Sequence, residues 1–187
     1  MRSSLHVRRG SLALGLSFGF AVSWAATAEP AWQYPVIRGY GKVRPLPEAA
    51  VQPNPDREYK VLFSITTAAE SPGQLNPGLK RIARLINIFG IAKVPSEKLK
   101  IMAVIHGSAT PIVLDDQHYR QKFKLDNLSS KLIHELKQAG AIIYVYGQAL
   151  AHKGFAPSVV NQEVSVALAA LTGLSIYQLD GYALIPE

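Results

Sequence analysis

Short apolar runs separated by helix-length segments constrain this chain more than any other feature. Tyr59–Ile65, Lys100–Ile105 and Ala141–Tyr146 are continuous and β-rich, and Val164–Ala167 and Tyr182–Ile185 repeat the pattern in shorter form. A strand with one wet face alternates apolar and polar residues. Continuous apolar runs belong instead to strands covered on both faces, as in parallel sheets whose crossover connections are helices. The intervening segments carry the matching period. Across Gly78–Phe89, the side chains of Leu79, Ile82, Ala83, Ile86 and Phe89 share one helical face, with Lys80, Arg81 and Arg84 opposite. Asp115–Phe123 reads as a short polar helix. Asp126 or Asn127 caps a helix carrying Leu128, Leu132, Leu136 and Ala139, which Gly140 ends, and Leu171, Leu174 and Leu179 mark a last helix. The expectation is a single α/β domain over 59–187, with a mostly parallel sheet of about five strands and helices on both faces.

Two segments precede that domain. Residues 1–28 have a basic start (Arg2, Arg8, Arg9), an apolar stretch from Leu12 to Trp24, and the small-x-small site Ala26-Thr27-Ala28. This is the pattern of a secretory signal peptide, and its apolar stretch is too short to span a bilayer. Arg8-Arg9 also resembles the pair of a twin-arginine signal. Cleavage after Ala28 leaves about 160 residues, an ordinary single-domain length, and no stable membrane span; in a Gram-negative cell the product is periplasmic. Residues 29–58 hold half of the 12 prolines, and their fixed φ and missing N–H groups disfavour helix and central strand. Trp32, Tyr34, Val36, Ile37 and Tyr40 give this stretch too much apolar surface for a solvated tether. It reads as an extended arm laid across the domain or onto a neighbouring subunit.

Charge and cysteine content exclude more than they assert. The leader carries no acidic residue, so its removal lowers the net charge from +7 to about +4. The remaining Lys and Arg are scattered, and no nucleic-acid partner is expected. There is no cysteine, which removes disulfides, thiol nucleophiles, persulfide carriage and thiolate metal ligands together.

In open parallel sheets, ligands gather outside the carboxyl ends of the strands. Those ends deliver Thr66, Thr67 and Glu70, then His106-Gly107-Ser108, then Tyr146-Gly147-Gln148. His106 suits an acid, base or donor role near neutral pH, and equally the ordering of the Gly107 turn. His106-Gly107-Ser108 lacks the Gly-x-Ser-x-Gly elbow of serine hydrolases. The segment between Gly147 and Gly154 reads as a loop able to bring Gln148 or His152 over the strand ends. No metal spacing joins the histidines to the carboxylates; a helix start explains Asp115, Asp116 and His118 better than a metal does. No glycine-rich phosphate loop follows the first strand, so no cofactor is expected.

Asn76–Leu79 leading into Ala83–Asn87, Ala103–Thr110 with its His-Gly turn, Tyr119, Asn127 with Leu132 and Ile133, Gly147–Leu150, and Gln178 with Gly181 and Tyr182 recur in one order and spacing. Together they resemble the DsrE/DsrF-like family, and the arm with Gly39-Tyr40-Gly41 resembles the extension of exported members. The resemblance implies a compact parallel α/β domain, commonly a trimer or hexamer, linked to sulfur oxidation or sulfur relay through a persulfide-bearing cysteine. Tyr146 stands where that cysteine is expected. A phenol cannot hold sulfane sulfur, so fold inheritance is expected and sulfurtransferase activity is not. The expected roles are binding ones, with no catalytic residue assigned. His106 beside Gly107 is a polar anchor, Asn87 and Gln148 are hydrogen-bonding groups, and Tyr146 is a pocket wall. The resemblance implies a homo-oligomer; the alternative reading is a structural or assembly subunit that pairs with cysteine-containing DsrE-like relatives, which carry the sulfur in trans.

Overall fold

A computed structural model describes residues 30–185; the expected leader lies outside the described residues. Five parallel strands form one sheet: β1 Tyr59–Ile65, β2 Leu99–Ile105, β3 Ile142–Tyr146, β4 Ser165–Ala167 and β5 Ala183–Ile185, in the order β4-β3-β2-β1-β5. The helices are α1 Pro77–Ile91, α2 Asp116–Phe123, α3 Leu128–Gln138, α4 Gly147–His152 and α5 Ala170–Leu179. From β1 to β4 the chain steps across the sheet in one direction, then returns past β1 to β5. Right-handed crossovers in opposite directions place their helices on opposite faces. Accordingly, α1 and α3 cover one face and α5 covers the other.

Residue parity sorts the core. Val61, Phe63, Ile65, Ile101, Ala103, Ile105, Ile143 and Val145 point toward Leu79, Ile82, Ile86, Leu132 and Leu136 of α1 and α3, forming the larger cluster. Leu62, Val104 and Tyr146 point the other way, toward Ala170, Leu174 and Tyr177 of α5. The central strands β1, β2 and β3 therefore spend most of their length on apolar contact at both faces, which is why their runs in the sequence are near-continuous.

Two buried asparagines set where the helices begin. The Asn76 side-chain oxygen accepts hydrogen bonds from the N–H groups of Gly78 and Leu79, while its amide donates to the Thr67 carbonyl. Asn127 accepts from the Ser129 N–H and donates to the carbonyls of Ile112 and Leu114. Each thus caps a helix and ties it to the chain that precedes it. Of the two candidates for the α3 cap, Asn127 takes the role; Asp126 instead pairs with Arg120 at the surface.

The stretch between Gly147 and Gly154, expected to be a loop, is largely helix. Gln148, Ala149, Leu150 and Ala151 favour helix intrinsically, and Leu150, 1% exposed, anchors the turn in the larger cluster. Gly154, with φ +70°, ends it. The arm is extended, and it lies across α1. An antiparallel bridge joins Gln33 to Val43 through hydrogen bonds of 2.8 and 3.0 Å, and Ile37 and Val43 are buried beneath it.

Candidate functional site

The carboxyl ends of β1, β2 and β3 bring Ser64, His106 and Tyr146 onto one face of the sheet. β1 and β2 pair Ser64 with Val104, and β2 and β3 pair Val104 with Tyr144. The period of two then points Ser64, His106 and Tyr146 to the same face as Leu62, Val104 and Tyr144, the face that α5 covers. Ser64 Oγ lies 2.9 Å from His106 Nε2. The His106 ring is half-buried and its centroid lies 5.2 Å from that of Tyr146.

Chain direction makes this end of the sheet a crevice. After β3 the chain turns toward the α1 and α3 face, where Leu150 joins the core; after β4 it turns toward α5. Connections leaving adjacent strands toward opposite faces open a gap between their carboxyl ends, the usual ligand position in such sheets. Tyr146, Ala167 and Leu168 stand at this gap. With Val104, Gly173 and Tyr177 they border an apolar cavity of about 390 Å³ beneath α5.

Tyr146 is nevertheless committed to the fold. It is 1% exposed, and its hydroxyl donates a 3.0 Å hydrogen bond to the Ala170 carbonyl in the first turn of α5. Burial disfavours the phenolate, and that pushes its pKa up to about 12 against a lesser opposing contribution from the Leu174 backbone. Gly173 lets the ring sit there, because an added Cβ would lie 3.3 Å from the Tyr146 hydroxyl. Tyr146 thus borders the cavity with its phenolic group already engaged.

The other expected site residues divide. Gly107 adopts φ +59° next to His106, and the turn it makes is tied down by Ser108. Ser108 Oγ donates to the Thr66 carbonyl at 2.8 Å and accepts from the Ala68 N–H at 2.9 Å. Ser108 is thereby a turn tether, and the hydroxyl beside the imidazole belongs to Ser64. Glu70 is exposed on the loop after β1. Gln148 lies exposed on α4 and is not held over the strand ends. Asn87 is wholly buried on α1 and holds the arm. Its oxygen accepts from the N–H groups of Val36 and Ile37, and its amide donates to the carbonyls of Ile37, Tyr40 and Gly41. The structure therefore brings His106, Gly107 and Tyr146 together and leaves Asn87 and Gln148 apart from them. Ser64 is the member that motif reading passed over. Its signal was register, two residues beyond Leu62 on the same face.

An imidazole bonded to a hydroxyl can hold or relay a proton, and a neutral imidazole can also ligate a metal. Among the described residues, no group of three or more His, Asp and Glu side chains is placed to hold a metal ion. His118 is bound to the carboxylate of Asp115, the cap of α2, at 2.8 Å. Burial raises the Asp115 pKa, but the His118 N–H, ring and charge outweigh it, so the carboxyl titrates below its usual range. His134 pairs with Glu163 at 2.7 Å on the surface. No helix among the described residues is long and apolar enough to cross a membrane.

A model of the DsrE/DsrF-like family matches residues 59–186, which includes every strand of the sheet. Among curated proteins, none matches the chain. Among solved structures, the chain is similar to the protein of unknown function MTH1491 from Methanobacterium thermoautotrophicum. That match has a TM-score of 0.54 and 20% identity, and it covers 70% of this chain and 100% of the other. At this identity the likeness speaks to the fold.

Proposed function

The chain belongs to the DsrE/DsrF-like family, a family related to sulfur relay, and on that premise we propose that it is an exported assembly subunit without sulfurtransferase activity of its own. Two chemical facts remove the persulfide route. There is no cysteine, and the side chain at the expected cysteine position is a buried phenol bonded to α5. Sulfane sulfur would then be carried by a cysteine-bearing partner, with this chain contributing shape and contact.

The observation that carries the assembly reading is α5 itself. The helix carries apolar side chains on both sides, with Thr172, Ser175 and Gln178 among those facing out, and none of its residues is buried within the chain. Ala170, Leu174 and Tyr177 face the sheet. Leu171 and Leu179 face outward, 83% and 88% exposed. Large exposed apolar side chains on a helix that already packs on the sheet mark an interaction surface. The second cover is a neighbouring subunit, and copies of this chain are the simplest source because they present the same face.

The test is native mass spectrometry of the protein from its own host, together with a Leu171→Lys/Leu179→Lys variant. The expected result is an oligomer of chains lacking residues 1–28, reduced to monomers by the variant. A monomeric native protein would remove the assembly reading, and a chain retaining its leader would remove export. The 390 Å³ cavity bordered by Tyr146 supports a second reading, in which a small apolar ligand sits between Tyr146 and α5. That ligand would appear as retained mass in the same measurement.

A further inference from the structure

The family match begins at Tyr59, so the arm that precedes it is an addition to the shared domain. An arm that served only to cover α1 would bury its apolar side chains, as it does Ile37 and Val43. Trp32 and Val51 are instead 57% and 88% exposed, and Leu46 and Ile88 are exposed beside them. These four side chains border a cavity of about 600 Å³ between the arm and α1, within the range of small-molecule sites. It shares no lining residue with the cavity beneath α5.

The walls are held apart. Asn87 fixes Ile37, Tyr40 and Gly41 to α1, the Gln33–Val43 bridge ties the arm to itself, and Gly41 lies so near the Arg84 main chain that no Cβ fits. The Gln52 amide donates to the carbonyls of Leu46, Pro47 and Ala49, and Pro45, Pro47 and Pro53 have fixed φ, so the loop keeps its shape without filling the space. The same features decide what fits. Three loop carbonyls are engaged by Gln52 and the prolines carry no N–H, so this wall offers side chains and no strand edge for a peptide to join. The cations of the lining do not choose the ligand. Lys42 and Arg44 are engaged with the Trp32 ring, 5.3 and 5.4 Å from its centre, and Lys42 and Arg84 are exposed to screening solvent. Selection falls to Trp32, Val43, Leu46, Val51, Ile88 and Ile91, an apolar lining whose release of water favours an apolar occupant.

We propose that this cavity binds an uncharged apolar small molecule, an alkyl chain or ring system with at most one hydroxyl or carbonyl group. Its body lies on Val51 and Ile88 against the Trp32 ring, and its polar end meets solvent at the mouth. The site goes beyond the assembly reading and stands independently of it, because α5 contributes nothing to the lining.

Isothermal titration of the purified protein with butan-1-ol, hexan-1-ol, octan-1-ol and octanoate tests this. The expected result is saturable binding of one octanol per chain, with affinity rising about fourfold for each methylene from butanol to octanol. Octanoate binds no more tightly than octanol. A Val51→Gln/Ile88→Gln variant puts amides on both walls at exposed positions. It keeps its thermal unfolding and subunit number and loses octanol affinity about tenfold. A Leu46→Gln/Val51→Gln variant, altered only in the arm, has the same effect. The Leu171→Lys/Leu179→Lys variant binds octanol as the wild type does, whatever its subunit number. Absence of saturable binding, affinity that is flat across the alcohols, or tighter binding of octanoate overturns the proposal. So does octanol affinity unchanged in both glutamine variants, which would place the ligand beneath α5. A fall in subunit number in those variants also overturns it, because the cavity would then be a protein interface.

Discussion

The Tyr146 hydroxyl and the Ala170 carbonyl, 3.0 Å apart, join the end of β3 to the first turn of α5. This one bond links the position expected to carry the chemistry of the fold to the helix expected to carry its assembly. Removing the hydroxyl by Tyr146→Phe costs about 1 kcal/mol at neutral pH. It also alters the alkaline limb. Below pH 10 the phenol is neutral in both the folded and the unfolded chain. From about 10 to about 12 the unfolded phenol ionises while the folded one stays neutral, so stability falls as pH rises through that window. Tyr177 and Tyr182, also held up by burial, add to the same fall. Urea unfolding from pH 7 to 11.5 should show a shallower decline in the variant. Equal declines would mean that Tyr146 is solvated.

Asn87 makes five hydrogen bonds to the arm, so its substitution should free the arm before it unfolds the sheet. Asn87→Ala strands buried main-chain groups and costs about 3 kcal/mol. Asn87→Asp keeps the acceptor but turns a second oxygen toward three carbonyls, so it should be no milder. Limited proteolysis is the readout, with cleavage between residues 36 and 57 preceding loss of the domain. An aspartate variant with wild-type resistance would show that the amide donors contribute nothing.

Much of this fold was legible because parallel strands buried on both faces leave continuous apolar runs, and the edge strands β4 and β5 still showed shortened versions. The α4 segment was misread because two glycines flank it, and the helix-forming Gln148–Ala151 between them spans too few residues for a period to appear. The candidate site was less legible, since polar side chains do not announce whether they face ligand or backbone. Asn87 looked available on the sequence, and only the path of the arm across α1 reveals that its amide is fully used. Ser64 was hidden for the converse reason. It sits inside an apolar strand, and pairing with β2 is needed to place it beside His106.

Gly41 tests how closely the arm meets α1. Gly41→Ala would put a Cβ 2.3 Å from the Arg84 nitrogen and 2.7 Å from the Ala83 carbonyl carbon, both main-chain atoms. The helix cannot yield locally, so the arm must lift, at roughly 2–3 kcal/mol. Gly39→Ala meets nothing within 4 Å and costs only its backbone preference, about 1 kcal/mol. Thermal unfolding of the pair should separate them clearly. Equal shifts would place the arm elsewhere than on α1.

Asp115 should act as the cap of α2. Its carboxylate accepts from the His118 N–H at 2.8 Å and contacts the ring nitrogen at the same distance. Asp115→Ala therefore costs about 1 kcal/mol. The folded pKa is lowered, so this contribution is present above the unfolded value near 3.8 and disappears as pH falls through the folded one. Wild type and variant should converge in stability on acidification below pH 4. A gap that persists at pH 2 would assign the loss to packing instead.

Ser64 and His106 provide the last prediction, because their 2.9 Å bond resembles the hydroxyl–imidazole contact of a nucleophile and its base. Position argues against that use. Ser64 lies within β1 and not on a sharp strand-to-helix turn, so its Oγ is not thrust toward a substrate. The expected role is to orient the imidazole. In a double-mutant cycle of Ser64→Ala and His106→Leu, the coupling should be about 1 kcal/mol, the worth of one partly buried hydrogen bond. A fluorophosphonate reagent should leave Ser64 unlabelled in the native protein. Coupling near zero would deny the bond in solution, and stoichiometric labelling would make Ser64 a nucleophile and this chain an enzyme.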